Sequence, residues 1–142
     1  GLADLGVKKG DRVGVLIPNT PQFVLAFFAI LKLGAIVVAT NPLYSRREIE
    51  HQVNDAGIEI MIVMSNFYQL VKEVRSNTRL RTIVVTNIKE TLPPLLGLLF
   101  GLTKEKKGGF RVELEWSHKK GDIFWKNTMC FVSICGRIGV MG

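Results

Sequence analysis

The sequence predicts an α/β fold: a parallel sheet flanked by helices, built in the order βαβαβαβ. Three observations lead there. Four short runs rich in β-branched residues begin at Val13, Ala35, Glu59 and Arg81, each of strand length. Between successive runs lie segments whose apolar residues recur at helical spacing. The links are short and hold Gly, Pro, Asn and Ser, the residues that punctuate regular structure. Alternation of this kind places helices on the faces of a parallel sheet.

Leu2 to Leu5 reads as the last turn of a helix, stopped at Gly6. Lys9-Gly10-Asp11 signals a turn. Val13 to Ile17 is nearly continuously apolar, as suits a strand covered on both faces, and Pro18-Asn19 ends it. Thr20-Pro21 then opens a helix. The Thr20 hydroxyl is expected to cap free N–H groups, and Pro21 fits the first helical position because its missing N–H would be unpaired there anyway. From Gln22 to Leu33 the chain is apolar almost all round (Phe23, Val24, Leu25, Ala26, Phe27, Phe28, Ala29, Ile30, Leu31), which predicts a helix buried on every side. Gly34 stands where a left-handed residue is wanted.

Ala35 to Ala39 is the second strand, closed by Asn41-Pro42. Ser45-Arg46-Arg47-Glu48 matches a capping box, and Ile49, Val53 and Ala56 form one stripe of the helix that Gly57 stops. Glu59 to Met64 is a third strand. Asn66 is expected to cap a third helix, with Phe67, Leu70, Val71 and Val74 on a common face, and Arg81 to Thr86 is a fourth strand. After Asn87 the pattern changes. Thr91-Leu92-Pro93-Pro94 breaks regular structure, and an apolar stretch reaches Leu102 and leads into Lys104, Lys106 and Lys107. Arg111 to Trp116 alternates apolar and charged residues as an edge strand does. Ile123 to Gly142 shows no clear periodicity.

Composition narrows the classes further. At 47% hydrophobic and 22% charged residues, the chain is globular rather than disordered. The net charge of +7 falls entirely after residue 71, since six bases balance six acids before it. A basic half can face nucleic acid, an anionic membrane or a phosphate-bearing substrate. Equally, it is a solvated face whose acidic counterpart lies elsewhere. Cys130 and Cys135 make neither a disulfide framework nor a four-ligand zinc site. His51 and His118 have no second ligand or nucleophile at a useful spacing, and Gly136 and Gly139 lack the strand–turn–helix setting of a nucleotide loop. A basic stretch followed by an apolar one, the mark of a secretory signal, is missing, and the 11-residue apolar run is short of the ~20 residues that span a bilayer. The sequence therefore reads as cytoplasmic. The segment from Leu92 to Lys107 sets an apolar stretch beside a basic cluster, a pattern suited to peripheral contact with lipid headgroups.

One pattern is more specific. Gly6-Val7-Lys8-Lys9-Gly10-Asp11-Arg12-Val13, Pro18-Asn19-Thr20-Pro21-Gln22-Phe23, Leu31-Lys32-Leu33-Gly34-Ala35, Asn41-Pro42-Leu43-Tyr44 and Asp55-Ala56-Gly57 follow one another. In order and spacing they resemble the early conserved region of the AMP-forming acyl-CoA ligase and adenylating-enzyme superfamily. The Leu-Pro-Pro-Leu-Leu insertion and its Lys-rich link resemble long-chain fatty-acyl members. The resemblance implies ATP-dependent activation of a fatty acid to an acyl-adenylate, with pyrophosphate released and the acyl group then passed to coenzyme A. It implies ATP, Mg²⁺ and coenzyme A for a full-length protein, a fatty acid as substrate, and no nucleic acid partner. Residues 1–122 read as a partial N-terminal AMP-binding domain, and residues 123–142 as an atypical tail where truncation or a frame change is expected.

The quoted residues have mainly structural roles: turns at Gly10-Asp11 and Gly34, and a strand break at Asn41-Pro42. The family's Thr-Gly-Thr-Thr-Gly run and its Pro-Lys-Gly are absent, so no catalytic, cofactor-binding or metal residue is assigned in this chain. Two readings of function follow. One is a ligase fragment, inactive alone and exposing apolar surface that promotes self-association; the other is a non-catalytic α/β module that binds partners or membranes. A Rossmann-type nucleotide protein fits poorly, because Ile17-Pro18-Asn19-Thr20-Pro21 replaces the glycine-rich turn after the first strand.

Overall fold

The computed structural model describes residues 1–87 and the two-residue strand Ile123–Phe124. Five parallel strands form one sheet: β1 (Arg12–Leu16), β2 (Ile36–Ala39), β3 (Ile60–Met64), β4 (Thr82–Thr86) and β5 (Ile123–Phe124), in the spatial order β2-β1-β3-β4-β5. Helices α1 (Pro21–Lys32), α2 (Arg46–Ala56) and α3 (Tyr68–Arg75) make the crossovers. The chain leaves β1 toward one edge to reach β2, then returns past β1 to lay down β3 and β4 on its other side. The sheet is therefore doubly wound, with its change of direction at β1 and β3.

The pleat sorts side chains into two cores. On one face Val13, Val15, Ile17, Ile60, Ile62, Met64 and Val84 pack with Leu2, Val7 and the inner side of α1. On the other, Leu16, Met61, Val63, Ile83 and Val85 pack with Ile49 and Val53 of α2 and Tyr68, Val71 and Val74 of α3. Neighbours in sequence thus serve opposite cores. That is why β3 is buried at all five positions and why its sequence is continuously apolar rather than alternating. Each such Val, Ile or Met contributes about 1.5–3 kcal/mol when fully buried.

Gly14 lies mid-strand in β1, where space rather than backbone torsion requires glycine. A Cβ there would stand 2.9 Å from Met61 Cγ and 3.2 Å from Ile58 Cγ2. By contrast, Gly57 closes α2 in the left-handed conformation, at φ 63°.

Three expectations are corrected. Thr20 does begin α1 with its backbone, its carbonyl accepting from Phe23 N–H at 3.0 Å, but its hydroxyl makes no capping bond and lies buried without a partner among the described residues. Asn66 does not cap the third helix. A short 3₁₀ turn, Ser65–Phe67, comes first, and α3 begins at Tyr68, which is buried in the core while Phe67 packs against it only partly buried. Nor is α1 buried all round: Val24, Phe28 and Leu31 are 51%, 60% and 47% exposed. An all-apolar sequence specifies burial only where the fold supplies a second layer, and α1 meets the sheet on one side. Exposed apolar surface is therefore present on α1. β5 has no counterpart in the periodicity, because two residues are too few to show one. The stretch from Leu92 to Lys107, the alternating run at 111–116, His118, Cys130, Cys135, Gly136 and Gly139 lie outside the described residues.

Candidate functional site

In a doubly wound sheet, ligands bind beyond the carboxyl ends of the strands, where the winding reverses. Here that rim is built from the segments that leave β1, β2, β3 and β4. Pro18-Asn19-Thr20 leaves β1, Thr40-Asn41-Pro42-Leu43-Tyr44 leaves β2, Ser65-Asn66 leaves β3, and Thr86-Asn87 leaves β4. Registers Val15↔Ala39, Leu16↔Val63 and Met64↔Thr86 align these exits on one edge.

Local chemistry shapes the rim. Asn41 Oδ1 accepts from Leu43 N–H at 3.0 Å and the Asn41 carbonyl accepts from Tyr44 N–H at 3.0 Å, a tight turn that turns Leu43 and Tyr44 outward. Gln22, nearly fully buried on α1, donates through Nε2 to the Asn87 carbonyl at 3.2 Å and so ties the start of α1 to the exit of β4. Gln52 of α2 donates through Nε2 to the Ala39 carbonyl at 3.2 Å. Thr40 and Ser65 are 4% exposed, yet their hydroxyls have no partner among the described residues, and neither does Asn66 Oδ1. A buried polar atom left unpaired costs about 1–3 kcal/mol, so the rim has hydrogen-bonding capacity that water, further chain or a bound molecule can satisfy. Apart from the Tyr44 phenol, the rim-lining groups named here carry no ionisable side chain; what they offer is hydroxyls, amides and carbonyls, suited to positioning rather than proton transfer.

The opposite rim is made of turns. Gly10 N–H donates to the Gly34 carbonyl at 2.9 Å, and a Cβ on Gly34 would meet Lys9 Cγ at 3.0 Å. The turn before β1 and the turn before β2 thus lock together, which explains two of the glycines in the sequence pattern. A cleft of about 220 Å³ opens between Gly10, Asp11, Arg12, Gly57, Glu59 and Arg81. Its Arg81 Nε–Glu59 Oε2 pair, at 3.1 Å, is half exposed on both sides and adds little stability. His51 is exposed on α2 beside Arg47, Glu50, Asn54 and Asp55. Among the described residues, no group of three or more His, Cys, Asp or Glu is placed to hold a metal ion, and no helix is long and apolar enough to cross a membrane.

The five sequence segments that suggested a family therefore divide between the two rims. Pro18–Phe23 and Asn41–Tyr44 shape the carboxyl rim; Gly6–Val13, Leu31–Ala35 and Asp55–Gly57 make the turns below. Comparison with known proteins decides what this arrangement is. The pattern of the AMP-binding enzyme family matches residues 1–118. The chain belongs to that family.

Two kinds of relative support the assignment. The long-chain-fatty-acid–CoA ligase of Escherichia coli O157:H7 is 42% identical over 95 residues, covering 67% of this chain and 17% of its own. Among solved structures, a long-chain-fatty-acid–CoA ligase from Archaeoglobus fulgidus superposes with a TM-score of 0.59 at 34% identity, over 60% of this chain and 17% of that one. The anthranilate CoA ligase AuaEII, solved with anthranoyl-AMP, gives 0.58 at 38% identity over the same shares. This member of the AMP-binding enzyme family thus spans 17% of the length of these relatives. The polar groups of Thr40, Ser65 and Asn66 escaped sequence reasoning, since only tertiary burial distinguishes them from ordinary loop residues.

Proposed function

We propose that this chain is a scaffold piece from the N-terminal domain of an AMP-forming long-chain fatty-acid–CoA ligase. The observation that carries the reading is 42% identity over 95 residues to a ligase of that description, within a chain whose described fold is the family's parallel sheet. In the whole protein, ATP and Mg²⁺ would convert a fatty acid to an acyl-adenylate, and coenzyme A would take the acyl group. The contribution of this chain is to hold the rim. α1 is pinned through Gln22, the β2 exit is bent by Asn41, and β5 runs parallel to β4, so its carboxyl end lies at the same rim.

Alone, the chain has no catalytic set. Its tail, from Met129 to Gly142, holds one Ser and neither the Thr-Gly-Thr-Thr-Gly run nor the Pro-Lys-Gly through which backbone N–H groups would hold phosphates. The segment from Leu92 to Lys107 would add peripheral contact with anionic lipid, on the strength of its apolar and basic halves. Co-sedimentation with vesicles containing anionic lipid checks that part; equal binding with and without anionic lipid, or no binding at all, contradicts it.

A pyrophosphate-release assay with ATP, Mg²⁺, palmitate and coenzyme A tests the main reading. The chain as it stands is expected to release none above background, and a chain extended with a family phosphate loop and C-terminal domain is expected to turn over. Turnover by the short chain would move the chemistry onto residues this account treats as scaffold.

A further inference from the structure

We draw no further inference here: the strongest candidate, the exposed apolar stripe of Val24, Phe28 and Leu31 on the outer face of α1, carries none, because nothing among the described residues shows what covers it.

Discussion

Ser45 and Glu48 show a short-range sequence rule realised in full. The Ser45 N–H and its hydroxyl both donate to Glu48 Oε2, at 2.7 and 2.6 Å. The Ser45 hydroxyl first, and its N–H second, hold the Glu48 carboxyl below its ordinary value of 4.5. A carboxylate with a lowered folded pKa stabilises the protein above the ordinary value, and that contribution disappears as pH falls through the folded pKa. Glu48→Gln is therefore expected to flatten the acid side of the stability curve below pH 4.5. Thermal melts of both proteins across that range check it, and parallel curves would contradict it. Gly14 shows the other kind of residue. Nothing in Arg-Val-Gly-Val-Leu says that Met61 and Ile58 crowd the glycine, because that contact is made by β3 and the link just before it, 47 and 44 positions later. Gly14→Ala is expected to cost about 1–3 kcal/mol through overpacking, read as a lowered denaturant midpoint. An unchanged midpoint would mean that Met61 moves aside freely.

Elements were legible where the signal was local. All four strands of the βαβαβαβ order and all three helices appear, with boundaries within about two residues, because β-branched runs, glycine stops and the capping box act over a few residues. The misses arise where a neighbour in space decides. The Thr20 hydroxyl was free to cap in sequence terms but is buried in the fold; Asn66 yielded to a 3₁₀ turn; and α1, apolar all round, has only one layer to pack against. That one-sidedness predicts a contrast within a single helix. Ile30→Ala, at a fully buried position, is expected to cost about 2–5 kcal/mol. Phe28→Ala, on the exposed side, is expected to stay within about 0.5 kcal/mol at concentrations too low for association. Equal losses at the two positions would mean that α1 is covered on both sides after all.

At the scale of the whole molecule, the family was legible and the rim was not. Glycine turns and the Asn-Pro break are written in short motifs, so their order along the chain identified the family that residues 1–118 match. The unpaired groups of Thr40, Ser65 and Asn66 emerge only when four separate strand exits are brought to one edge. The role proposed for this chain is to supply part of the scaffold of a long-chain fatty-acid–CoA ligase, with the chemistry carried by other residues. The most direct measurement is a segment exchange: the 95-residue matched stretch of the Escherichia coli O157:H7 ligase replaced by its counterpart from this chain, followed by assay of palmitate- and coenzyme A-dependent pyrophosphate release. The account predicts a folded chimera that keeps its ligase activity. A chimera that folds and binds ATP yet releases no pyrophosphate would contradict it, because these residues would then do more than hold the rim.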